Sequence, residues 1–192
     1  MDMQTESQAP GLSSDIARLV REQVDTYLQE KEAEKETRTP RLAMIATKGT
    51  LDWAYPPLIL ATTAAALGWD VGIFFTFYGL NIIHKEKSKH LRVAPLANPA
   101  MPMPVPNIVG AIPGMTAMGT IVMKGMFKSH HVSTIDELME MAIESGVKLW
   151  PCGMTMDVFG YKAEDFIDGI QEVCGATHFL GFAKDADVSL FI

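Results

Sequence analysis

A chain of 192 residues, 48% of them hydrophobic, has room for one domain with a full core and too little for two of ordinary size. Its formal net charge of −7 and isoelectric point near 5.2 exclude a protein devoted to coating nucleic acid or an anionic membrane, since both demand a cationic surface. Only two cysteines occur, Cys152 and Cys174; they cannot build a disulfide scaffold, they fit no CxxC or zinc-ligand spacing, and they read as thiols of a reducing cytoplasm.

The first residues, MDMQTESQAPGLSSD, are acidic and lack the apolar core of a secretory signal. Residues 13–39 predict a charged helix, with Ile16, Leu19, Val20, Val24, Tyr27 and Leu28 forming one apolar stripe and Ser14-Asp15 as its cap. This leader, residues 1–40, is expected to stand apart from a domain spanning residues 41–192. The domain opens with a short apolar strand, RLAMIA, and the loop Thr47-Lys48-Gly49-Thr50. An apolar helix follows to Leu67, closed by Gly68, and then a strand over 71–75. Strand, helix and strand at this spacing make a βαβ unit with parallel strands, which predicts a three-layer α/β sandwich.

Farther on, residues 78–83 predict a short helix, HKEKSKHLR is a basic run, and residues 95–113 form a long proline-rich loop of the functional or mobile kind. Met115, Met118, Val122, Met123 and Met126 recur at helical intervals, a pattern that fills irregular core or subunit contacts. A capped helix begins at Ser133-Thr134 and ends at Gly146, and the strand 147–150 leads into Cys152. Then come a short amphipathic helix around 162–167, a small strand at 169–173, a helix at 177–184 and a final strand at 188–192. The total is a mostly parallel sheet of about five strands. Two apolar stretches, 53–80 and 101–127, are broken by prolines and, in the first, by Gly68 and Asp70, so no transmembrane span of roughly 20 residues is expected. Peripheral membrane contact stays open.

Cys152 stands where an apolar strand ends in Pro-Cys-Gly, the edge at which open α/β sheets place reactive groups. A thiolate is the reactive form of cysteine, and backbone N–H groups of GMTMD, from Gly153, Met154 and Thr155 onward, would stabilise it. Read from the residues alone, Cys152 is more simply a small inert core side chain, since free cysteine is among the most buried residue types. The set Cys152, Met154, Met156 offers soft ligands that suit Cu(I), with His130 and His131 as distant additions. Lys48, Gly49 and Thr50 precede a helix where an anion such as a thiosulfonate, sulfite or carboxylate could bind, although neither a phosphate loop nor a dinucleotide fingerprint is present. The run Lys85, Lys87, Lys89, His90 and Arg92 reads as solvated surface or a contact for an acidic partner.

The segments ATKGTLDWAYPPLILATTAAALGWDVGIFFTFYGLNI, GMTAMGTIVMKGMF, GVKLWPCGMTMDVFGY and AKDADVSLFI together resemble the DsrE/DsrF/DsrH-like sulfur-trafficking proteins. Within them they are similar to the DsrE branch associated with rhodanese and TusA-type sulfur carriers in sulfur oxidation. The resemblance implies a DsrE-like fold and a cytoplasmic homo-oligomer in which Cys152 holds sulfur as a persulfide or thiosulfonate. That sulfur would be exchanged with partner thiols without an organic cofactor or metal, and Cys174 is a possible resolving thiol. The other reading is a non-catalytic interaction subunit in which Cys152 is structural. The charged leader departs from many relatives, and some relatives add membrane-spanning segments.

Overall fold

The computed structural model describes residues 10–94 and 114–192, so the proline-rich loop expected at 95–113 lies outside the described residues. The chain divides into two compact units, Met1–Thr39 and Pro40–Ile192. In the first, helix α1 spans Pro10–Thr37, with exposed pairs one turn apart such as Arg18–Asp15 at 3.3 Å along its surface.

The second unit is built on strand β1 (Arg41–Ala46), helix α2 (Leu51–Ala66), strand β2 (Asp70–Phe75) and the short helix α3 (Leu80–Ile83). Helices α4 (Met115–Ser129) and α5 (Ile135–Glu144) follow. Strand β3 (Lys148–Pro151), helices α6 (Gly153–Phe159) and α7 (Ala176–Ala183), and strand β4 (Val188–Phe191) complete it. The predicted start of α5 takes the form of a capping box: Thr134 Oγ1 accepts from Glu137 N–H at 3.2 Å, and Glu137 Oε2 accepts from Thr134 N–H at 2.8 Å.

The sheet is four-stranded and parallel throughout, in the order β3-β2-β1-β4. Alternation along the strands divides the core in two. Leu42, Met44, Val71, Ile73, Phe75 and Leu149 face the layer that contains α2 and α5. Ala43, Phe74 and Trp150 face α7, where Phe179 and Phe182 meet them. The chain lays its crossover helices on one face while moving from β1 to β3, then returns along the other face to β4, as right-handed crossovers require. The three-layer architecture expected from the βαβ pattern is the one observed.

Two expected elements differ. Residues 171–174 run beside β3, with Gln171 N–H donating to Leu149 O at 2.8 Å and Cys174 N–H to Pro151 O at 3.1 Å, yet the pairing amounts to the single parallel bridge Cys152↔Cys174 rather than a fifth strand. The chain reaches this edge from a turn at Gly169, whose φ of +91° and near contact with Ile143 favour glycine. Around 162–167 the amphipathic helix is reduced to a 3-10 turn, Ala163–Asp165, because Phe166 takes an extended conformation and enters the core.

Gly72 sets the fit between β2 and the α7 layer: a Cβ there would lie 2.4 Å from the Trp150 ring and 2.8 Å from Phe182. Gly72→Val should therefore cost about 1–3 kcal/mol through overpacking, read as a lower urea midpoint at unchanged slope.

Candidate functional site

The position of Cys152 follows from strand register. β2 and β3 pair with Phe75 opposite Pro151, so the next residues along, Thr76 and Cys152, arrive level with each other at the carboxyl edge. Cys152 N–H continues the ladder to Phe75 O at 2.9 Å, and on its other side Gly153 N–H reaches Cys174 O at 3.0 Å. The segment after Cys152, read from the sequence as a polar loop or helix start, is α6: Cys152 caps it, and Met156 N–H returns to Cys152 O at 3.0 Å. Both cysteines are free, at 4% and 7% exposure, and they pack with Trp150 and Phe179 on one face of the sheet.

Burial pushes the Cys152 thiol up, since it penalises the charged form. Hydrogen-bonding groups around the sulfur, at Thr155, Thr76 and Met154, outweigh it, and the thiol lies below its ordinary value. Thr76 and Thr155 are themselves buried, their hydroxyls 3.0 Å apart. Phe77 N–H donates to Thr155 Oγ1 at 3.3 Å; with Thr76 as donor to the same oxygen, the Thr155 proton is free to face the sulfur. Phe77 holds a φ of +48°, a left-handed conformation uncommon for a bulky residue, and its strain accompanies the aim of this N–H.

Cys174 is the opposite case. Burial, reinforced by the neighbouring Cys152 and by Glu172, raises its thiol to about 11. Two adjacent cysteines are thus driven apart in acidity, one toward thiolate and the other held as thiol.

The remaining candidates separate. Gly153, Met154 and Thr155 form the turn over Cys152, with Met154 and Thr155 supplying N–H groups. Gly49 and Thr50 instead border an open cleft of about 560 Å³ shared with Asn81, Lys87 and Arg92, and Cys152 is not among its lining residues. Gly49 is pressed so closely on the Tyr78 carbonyl that a Cβ would lie 2.0 Å from its oxygen. Thr50 Oγ1 is buried without a hydrogen-bond partner, and Lys48 lies over the Trp53 ring at 3.2 Å from its centre.

The soft-ligand set does not converge. Met154 is 68% exposed and Met156 is 6% exposed, because residues two apart on a helix point to different sides. His130 and His131 are exposed beyond the end of α4. Much of the basic run is engaged, Lys85 with Asp168 at 3.5 Å, Lys89 with Glu86 at 3.0 Å and Lys87 with the Tyr161 hydroxyl. On α4 the methionines divide: Met123 packs on the core while Met118 and Met126 are exposed. Thr76 was not singled out from the sequence; aligning the ends of the strands IFF and LWP would have placed it beside Cys152.

The chain belongs to the DsrE/DsrF/DrsH-like family, whose profile matches residues 38–191. It is 50% identical over 158 residues to the sulfur carrier protein DsrE2 of Allochromatium vinosum, covering 79% of this chain and 98% of that protein. An uncharacterized protein of Bacillus subtilis, YrkE, is 33% identical over 158 residues, covering 81% and 98%. The crystal structure of the ychN protein from E. coli superposes with a TM-score of 0.49 at 14% identity, over 80% of this chain and 100% of that one. Among the described residues no helix is long and apolar enough to cross a membrane.

The opposed acidities predict selective chemistry. With limiting iodoacetamide at about pH 7.5, peptide mapping should find Cys152 modified well before Cys174. Thr155→Val, which removes one hydrogen bond to a charged sulfur, should slow modification of Cys152 by about tenfold.

Proposed function

We propose that the chain is a sulfur carrier of the sulfurtransferase type, which holds sulfane sulfur or a thiosulfonate on Cys152 and exchanges it with the thiols of partner proteins. The observation that carries this reading is the seat of one buried cysteine at the N-cap of α6, level with Thr76 and beside the buried Thr76–Thr155 hydroxyl pair, which lowers its pKa despite its burial. The 50% identity to a protein named as a sulfur carrier supports it. Loading begins when the Cys152 thiolate attacks the sulfane sulfur of a donor persulfide; the new S–S bond forms at Cys152 and the donor leaves as thiolate. Unloading is the mirror step: an acceptor thiolate attacks the outer sulfur, and Cys152 departs as the thiolate its donors already stabilise. A leaving thiol of lowered pKa leaves faster, so the same surroundings serve both steps. Exchange of this kind runs on thiols alone.

The finer assignment is a cytoplasmic homo-oligomer working with TusA-type and rhodanese-like sulfur carriers in sulfur oxidation. In it residues 41–192 carry the chemistry and residues 1–40 are a charged leader. Gly153, Met154 and Thr155 hold the bound group. Lys48, Gly49 and Thr50 contribute an anion-receiving edge, and Cys174 serves as a resolving thiol.

Intact mass after incubation with inorganic polysulfide tests the proposal. Wild type should gain the mass of sulfur, removable by a thiol reductant, and Cys152→Ser should gain none. An unmodified wild type, or an undiminished adduct on Cys152→Ser, would refute it.

A further inference from the structure

Cys174 is more than a buried bystander. It is the level partner of Cys152 in a parallel bridge, and its backbone is bonded to both neighbours of Cys152, through Gly153 N–H to Cys174 O at 3.0 Å and Cys174 N–H to Pro151 O at 3.1 Å. Paired strands lie about 4.8 Å apart and level side chains share a face. That spacing falls within the roughly 4.4–6.8 Å between Cα atoms that a disulfide spans. Both side chains belong to the same cluster under Trp150 and Phe179.

We infer that Cys174 discharges a loaded Cys152 as hydrosulfide, a sulfide-releasing activity that leaves a Cys152–Cys174 disulfide and closes the carrier to further loading. This rests on the reading of Cys152 as a sulfur carrier. In the step, Cys174 gives its proton to solvent and its thiolate attacks Cys152 Sγ. The bond from Sγ to the outer sulfur breaks, and the outer sulfur leaves as hydrosulfide with the electron pair. The sulfane sulfur is reduced by two electrons and the cysteine pair is oxidised by two, so no external oxidant enters. One small dithiol, or two monothiols, reduces the disulfide and reopens the site. As a level pair, Cys174 faces the inner sulfur, whereas a partner protein approaching from outside meets the outer one.

The surroundings meter this step. Titratable groups on the elements packed around Cys174 are the Cys152 sulfur at the end of β3, Lys148 at the start of β3, which pairs with Asp70, Glu172 on its own segment, His178 on α7, whose ring lies 5.5 Å from that of Trp150, and exposed Asp157 on α6. Burial, Cys152 and Glu172 hold the proton on Cys174 up to about 11. Below that value the thiolate fraction rises tenfold for each pH unit, so discharge is slow at neutral pH and the charged carrier keeps its sulfur for transfer.

The test loads the full chain with inorganic polysulfide, removes excess donor, and follows intact mass and released sulfide without reductant. Wild type should lose one sulfur atom, release one equivalent of sulfide and finish two hydrogens lighter than the reduced chain. The rate should rise about a hundredfold between about pH 7 and about pH 9. Cys174→Ser should keep its adduct at both values, and Cys174→Ala, run beside it because a hydroxyl is poorly tolerated in this cluster, should do the same. Equal sulfide release from both variants, or a wild type that ends as free dithiol, overturns the inference. A wild type that loads and holds its sulfur at about pH 9 overturns the discharge alone, whereas one that never loads overturns the carrier reading beneath it.

Discussion

The parallel register of β2 against β3 is the constraint on which the site depends. With Phe75 opposite Pro151, two strands that end together deliver Thr76 and Cys152 side by side. A slip of one residue would turn Cys152 to the other face of the sheet, away from Cys174 and into the layer of α2 and α5. The register is held from the opposite end, where Asp70 accepts from Arg41 at 3.0 Å and is also paired with Lys148. It is held in the middle by Trp150, which lies against Gly72. Packing far from the thiol therefore decides what the thiol touches.

At the carboxyl edge two effects of burial compete, and local donors decide the outcome. The same desolvation acts on both cysteines, but Cys152 has hydrogen-bonding groups of Thr76, Met154 and Thr155 around it, whereas Cys174 meets a neighbouring sulfur and Glu172. A carrier needs this asymmetry. A sulfur that leaves readily as thiolate both takes up and gives away its cargo, and a second thiol beside it must stay protonated if the cargo is to survive. Both requirements are met within one turn of helix and one bridge.

The alternating apolar strands, the glycine stops and the capping box were legible because each is a local signal, and together they implied the layers correctly. The edge segment at 169–173 reads as a strand from its local pattern, while the short pairing observed at 171–174 is set by the turn at Gly169 and by β3. Cys152 stood out from its setting in the sequence. Thr76 did not, since a threonine after FF carries no local mark; its role arises from a register between residues 76 positions apart in partner strands, which only the fold supplies. Lys48, Gly49 and Thr50 are close to Cys152 in the logic of α/β folds, yet Gly49 and Thr50 border a cleft of their own because β1 is separated from β3 by β2.

The central claim is that the pKa of Cys152 is lowered despite its burial. It is tested most directly by following thiolate absorbance near 240 nm against pH in the full chain carrying Cys174→Ser, so that a single sulfur titrates. The account predicts a midpoint below the ordinary thiol value of about 8.5. A midpoint at or above that value would contradict it.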